Sequence, residues 1–253
     1  MTPKAFKDPA FNEADMRDKE SIVRGRARLA PRALKRLNLA RIRSLLSVDE
    51  AVANAVTALE RAGELDETYI VFTSDNGLAL GEHRYLGKDR LTDEALDIPL
   101  VVRGPGIPAG TRSSRSVSLI DLTQTLVQLM GLSPTLVTDG ETFAPTLRNP
   151  DAPGFRDTML IQTGAKDRRA EFPGWAYRGV LTQRYAYGRR VNNPPDDGFL
   201  YDHHSDPHEL RNVLTSQRYR GVRRELERRL KVLSDCAGSE CNRDFGPLPR
   251  PGR

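Results

Sequence analysis

Apolar residues in this chain fall into two kinds of pattern. Leu45, Val48, Val52, Val56 and Leu59 recur at steps of three and four, one stripe of an α-helix over about residues 42–61 that Gly63 would end. The β-branched run Tyr69, Ile70, Val71, Phe72, Thr73 reads as a buried strand, and the helix is expected to pack against it as one α/β unit. A second strand is expected over residues 98–102, stopped by Gly104-Pro105-Gly106. A second helix is expected over 119–130, with Ser118 as its cap, Leu119, Leu122, Leu126 and Leu129 as its stripe and Gly131 as its close.

Beyond Pro145 the pattern changes. Pro150, Pro153 and Gly154 mark a linker or long loop. Short strand patterns follow at 158–162, 177–182, 185–188 and 198–201, then a turn-rich stretch at 202–212 and a helix at 218–233. This order predicts a small antiparallel sheet with a covering helix, an α+β appendage. The division expected is 1–150, an α/β core region; 151–245, the α+β subdomain; and 246–253, a Pro- and Gly-rich disordered tail.

Composition narrows the function classes. The chain has 253 residues, 38% hydrophobic and 29% charged, a low apolar share for a self-sufficient α/β enzyme. Its net charge of +5 comes with only seven lysines among 39 basic residues, and it speaks to solubility more than to substrate. Eight basic residues lie between Arg24 and Arg43, interleaved with leucines. No aromatic residue occurs from Asn12 to Glu67, so a solvated helix face is expected there and no nucleic-acid partner. No apolar run is long enough to span a membrane, and no signal-peptide pattern opens the chain. Cys236 and Cys241 fit no zinc pattern; a local disulfide and two free thiols both remain open.

The candidate chemistry lies in residues 69–88, YIVFTSDNGLALGEHRYLGK. Ligands of open α/β sheets bind beyond the carboxyl ends of strands, and Asp75 and Asn76 fall at such an end. A carboxylate beside an amide oxygen suits Ca²⁺ or Mg²⁺, although an Asp-Asn-Gly by itself is most often only a turn. Lys88 adds an ammonium suited to an oxyanion.

This segment resembles the second half of the site in sulfatases of the alkaline-phosphatase-like superfamily. The likeness extends through Pro9-Ala10-Phe11-Asn12-Glu13, Arg43–Glu50, Gly63-Glu64-Leu65-Asp66, Ile98–Ile107 and Ser118–Leu126, and it is nearest to the N-acetylglucosamine-6-sulfatase-like branch. The fold it implies is α/β, the C-terminal part of a sulfatase core followed by the small α+β subdomain. It implies Asp75 and Asn76 as ligands of Ca²⁺, Lys88 as a sulfate contact, and His83 in Gly81-Glu82-His83 as a residue that faces the substrate or holds the loop. Glu82 and Glu94 are expected to be structural, and Arg103 to anchor groups at the edge of the site. The turn holding His203, His204 and His208 is expected to be solvated.

One departure matters. The family's nucleophile is a formylglycine made from Cys or Ser in a Cys/Ser-x-Pro-x-Arg motif, and no Cys or Ser here has that context. The family's acidic metal ligands upstream also lack a counterpart before Asp75. By resemblance, Met1 falls within the family's core, an N-terminal half is expected as a partner, and relatives are often exported. The implied reaction is hydrolysis of a sulfate ester, a sulfated sugar or aryl sulfate, by attack of the formylglycine hydrate on sulfur, with the chain inactive alone. The alternatives are a non-catalytic remnant or subunit binding a cation or polyanion, and a phosphodiesterase or phosphatase of the same superfamily.

Overall fold

The computed structural model describes residues 7–154, 156–164, 175–191 and 193–252. Residues 1–6 of the expected core region and Arg253 of the tail lie outside them. The first regular elements are a single turn, α1 (Ser21–Arg24), and a long helix, α2 (Pro31–Ala62). Pro31 starts α2, where its missing N–H is not needed, and Gly63 closes it at φ 73°. The basic residues from Arg32 to Arg43 and the periodic stretch are thus one helix, with Arg24, Arg26 and Arg28 before it. Only Leu34 and Asn38 of it are buried.

The expected packing of this helix on the strand is not what the structure contains. Leu45 is 57% and Leu46 62% exposed, and Val48 and Val52 are exposed as well. The strand itself, β1 (Ile70–Thr73), is half-buried rather than buried, with Phe72 at the surface. It pairs antiparallel with β4 (Leu100–Arg103), with Phe72 opposite Val101, in a two-stranded sheet. Between them lie the hairpin of β2 (Ala79–Leu80) and β3 (Leu86–Gly87) and the one-turn helix α3 (Asp93–Leu96). These apolar faces stay open because no element among the described residues covers them.

Helix α4 (Leu119–Leu129) shows a second difference. Its buried residues are Asp121 and Thr125, while Leu119 is exposed and Leu122, Leu126 and Leu129 are only partly covered. Asp121 makes the interior face viable by accepting hydrogen bonds from the backbone N–H groups of Ser118 (2.7 Å) and Glu141 (3.0 Å) and pairing with Arg156. Burial nevertheless pushes its carboxyl above the usual range. The short α5 (Ala144–Arg148) follows.

The C-terminal part is where the core sits. Strands β5 (Thr158–Gly164), β6 (Trp175–Thr182), β7 (Tyr185–Arg190) and β8 (Gly198–Asp202) form an antiparallel meander in that spatial order. Gly179 must be glycine, because a Cβ there would sit 2.2 Å from the Tyr187 carbonyl oxygen. Helix α6 (Arg220–Leu233) lays Val222, Leu226, Leu230 and Leu233 on one face of the sheet, against Val180, Tyr185, Tyr187 and Leu200. Each such fully buried side chain contributes roughly 1.5–3 kcal/mol. On the other face Tyr177, Ala186, Phe199 and Tyr201 meet Leu91.

Two flanking segments complete this part. The early chain crosses the boundary expected at residue 150: Asp197 accepts from the Ser21 N–H at 2.7 Å, and Asp18 from that of Asn212 at 2.7 Å. Residues 246–252, expected to be a disordered tail, run along α6 instead. Leu248 packs on the core, the Gly252 N–H donates to the Arg218 carbonyl, and the buried Arg229 donates to the Gly246 carbonyl at 2.6 Å. Arg229 also pairs with Glu225 and Asp157, both at 3.0 Å. Cys236 and Cys241 form a disulfide. No helix among the described residues is long and apolar enough to cross a membrane.

Candidate functional site

Strand β1 delivers Ser74, Asp75 and Asn76 past its carboxyl end. The Gly77 N–H bonds the Ala95 carbonyl at 3.0 Å, and a Cβ on Gly77 would lie 2.1 Å from the Glu94 carbonyl oxygen. Glycine at 77 is therefore what lets this loop seat against α3. Asp75 is exposed and Asn76 half-buried, and the Asn76 amide donates to Asp75 Oδ1 at 2.7 Å. Both line a cleft of about 1260 Å³ that runs between β4, the loop after it, α5 and β5. Arg112 and Arg115 line it too, so the cleft presents positive charge to an anion near a pair of oxygen donors.

The two oxygen donors fit a hard cation, and as two ligands they supply only part of a shell of six to eight. Lys88 follows β3 and is exposed; among the described residues it makes no ion pair or hydrogen bond, which leaves its ammonium able to meet an anion. Arg103 is the anchor its position implied, bonding the Leu65 carbonyl and Asp66 Oδ1.

His83 lies elsewhere. It is fully buried at φ 50°, its backbone N–H donates to the Ala10 carbonyl at 2.9 Å, and its Nδ1 bonds Glu13 Oε2 at 2.7 Å. Of the two roles open to it, these contacts serve the holding of the loop. Glu13 is itself fixed by the buried Lys19 at 2.9 Å. Glu82 accepts from the Leu80 N–H, and burial raises its carboxyl. A Cβ on Gly81 (φ 122°) would strike the Phe11 ring at 2.5 Å, so the Gly81-Glu82-His83 turn is packed by the early segment.

Beside His83 the structure brings together groups that the sequence did not join. His83 Nε2 faces Glu94 Oε1 at 3.8 Å, and Glu209 completes a set whose ligand atoms all lie within 4.8 Å of one another. Glu209 also bonds His203 Nε2 at 3.0 Å, with Asp93 at 3.7 Å from the same nitrogen. Of the three histidines in the turn expected to be solvated, His204 and His208 are exposed and His203 is half-buried. Burial, with the Glu209 charge adding to it, pushes the Asp93 carboxyl up to about 7. Burial pulls His203 down, but its hydrogen bond to Glu209 and the nearby acidic charges outweigh that and raise it. Glu13 and Glu209 went unnoticed as partners because they lie 70 residues before and 126 after His83. Their only sequence signals were the motif Pro9–Glu13 and the turn-rich stretch at 202–212.

Known proteins resemble this chain over most of its length. A family profile described as Sulfatase matches residues 6–132, and one described as N-sulphoglucosamine sulphohydrolase, C-terminal, matches residues 81–235. N-acetylglucosamine-6-sulfatase of Capra hircus is 30% identical over 237 residues, covering 82% of this chain and 42% of its own length. A protein solved in complex with its substrate, D-glucosamine-2-N,6-O-disulfate, is 30% identical with a TM-score of 0.65, covering 74% of this chain and 38% of that one. Phosphonate monoester hydrolase of Agrobacterium radiobacter is also 30% identical, with a TM-score of 0.66, over 74% of this chain and 39% of its own. The chain spans about two fifths of the length of these relatives.

Proposed function

Since the chain belongs to the sulfatase family, we propose that it supplies one side of a sulfuric ester hydrolase site. In that reading Asp75 and Asn76 are part of a Ca²⁺ shell, and Lys88 holds the sulfate of the substrate. The observation that carries it is the Asp75–Asn76 pair at the carboxyl end of β1, lining a cleft with Arg112 and Arg115. A bound cation there would offset charge on the ester oxygens. Asp75 would hold it with a carboxylate charge and Asn76 with an amide oxygen dipole, and Lys88 would meet the sulfate as a point charge. His83 keeps the loop before Lys88 in place from below.

The nucleophile has to come from a Cys/Ser-x-Pro-x-Arg segment, which residues 1–253 do not contain. A sulfatase core segment bearing it would cover the open apolar stripe of α2 and the exposed faces of β1 and β4. The relative solved with a glucosamine disulfate favours a sulfated sugar as substrate.

The test joins peptide mapping of protein isolated from its source cells to sulfate release from glucosamine 6-sulfate. Activity should track a peptide carrying formylglycine, and Asp75→Ala in the active species should lower it on the order of 10²-fold or more, as loss of a charge-stabilising group does. Calcium-dependent turnover by residues 1–253 alone, free of other sulfatases, would overturn the reading. A second reading, hydrolysis of a phosphonate or phosphate ester, is favoured by the likeness to phosphonate monoester hydrolase. The same preparation turning over a phosphonate monoester faster than the sulfate would establish it.

A further inference from the structure

The buried carboxylates around His83 have an electrostatic problem that hydrogen bonds do not solve. With Nδ1–H donated to Glu13 Oε2 at 2.7 Å, the lone pair of the imidazole is on Nε2. That nitrogen is fully enclosed and has no hydrogen-bond partner among the described residues. It faces Glu94 Oε1 across 3.8 Å, too far for a hydrogen bond, and Oε2 of the same carboxylate is buried without a partner. Glu209, 1% exposed, brings a third acceptor within 4.8 Å. Glu209 already accepts from His203 and from the Asp93 N–H, but among the described residues no donor meets His83 Nε2 or Glu94 Oε2, so three acceptors gather within 4.8 Å with two of them unanswered.

We propose that His83 Nε2, Glu94 and Glu209 bind a divalent transition-metal cation, zinc being the type suited to one imidazole and two carboxylates. This site is separate from Asp75 and Asn76 and does not depend on the sulfatase reading of that pair. Tetrahedral zinc at about 2.0–2.1 Å from each ligand sets ligand atoms about 3.3 Å apart. The separations here, 3.8 Å to at most 4.8 Å, close to that value by rotamer movements of two glutamates. The surroundings fit as well. A ligating imidazole characteristically donates its other N–H to a carboxylate, and Glu13 holds that place, itself fixed by Lys19. On the far side His203 holds Glu209 at 3.0 Å.

The ligands come from the turn after β2, from α3 and from the segment after β8. A cation would therefore tie the family-core part of the chain to its C-terminal sheet. Its role is structural, since Glu209 and His83 are both closed to solvent.

The test uses the full chain purified without a metal-affinity step. Metal analysis should find one equivalent of zinc. Removing it with a chelator should lower Tm, and zinc chloride alone should restore it. Glu94→Gln, at a position 23% exposed, keeps the side-chain shape and should lose the equivalent while the metal-free Tm stays where it was. Glu13→Gln, which acts on His83 and not on the ion, should weaken zinc roughly 10–100-fold. Asp75→Ala should retain it, which separates this site from the calcium pair. Two results overturn the proposal: no zinc bound by the wild-type chain at micromolar concentration, or the same stoichiometry in Glu94→Gln. An Nε2–H resonance of His83 that zinc leaves unchanged would show that a proton fills the gap instead.

Discussion

Asp202 shows how a single residue's surroundings set a property of the whole chain. Its carboxylate accepts from Arg184 Nε and Nη2, both at 2.7 Å, and from the Tyr219 hydroxyl at 3.0 Å. Burial alone would push it up, but these bonds outweigh burial and hold it below the usual carboxylate range. A group depressed in the folded state contributes stability that is complete above its unfolded value of about 3.9 and is lost as pH falls through the folded one. Thermal melts of the wild type should therefore lose Tm more steeply than those of Asp202→Asn as pH drops from 4 towards 2. Equal slopes would show that Asp202 has no part in acid unfolding. The place of Asp75 and Asn76 in a turn after a strand was legible in the sequence, because a strand end and its turn are local features. The role of His83 was left between two choices, since its partners Glu13, Glu94 and Glu209 become neighbours only in three dimensions.

Elements were legible where periodicity and burial agree. The four strands of the C-terminal sheet and α6 fall within a few residues of their expected bounds, because their apolar faces are covered by one another. The stripe of α4 misled for the opposite reason. Asp121 turns inward to bond two backbone N–H groups and Arg156, and Leu119 is left at the surface while Leu122, Leu126 and Leu129 are only half-buried. The stripe of α2 was read correctly as a stripe but given the wrong partner. Leu45→Asp there should change the stability of the isolated chain by no more than about 0.5 kcal/mol, the range of surface substitutions, while removing co-purification with a nucleophile-bearing segment. A large drop in the Tm of the isolated chain would mean that α2 already packs within it.

At the scale of the molecule, burial is uneven. The sheet β5–β8 with α6 has apolar clusters on both faces, whereas β1 and β4, among the described residues, pair only with each other and leave Val101 61% exposed. Local opening costs least where few apolar contacts are lost. Amide hydrogen exchange of the full chain should find β6, β7 and α6 slowest, with α2, β1 and β4 exchanging well before them. Uniform protection across both regions would contradict this picture. The α/β class and the appended antiparallel sheet were legible from the order of patterns. The reach of residues 18–21 onto the segments that flank β8 was not, since it rests on polar contacts such as Ser21 to Asp197 and Asp18 to Asn212 that leave no periodic trace.

The bond from Arg229 to the Gly246 carbonyl bears on how the protein can be handled at the bench. The guanidinium is 1% exposed, and the acceptor it reaches belongs to the last eight residues. Trimming the chain to Phe245, as its composition would invite, strips an enclosed cation of the oxygen that meets its Nη2, leaving Glu225, Asp157 and Thr158 to hold the other nitrogens. An affinity handle therefore belongs after Arg253 and not in place of the Pro-rich segment, and a protease that nicks near Asp244 should be read as a threat to the fold rather than as routine clean-up.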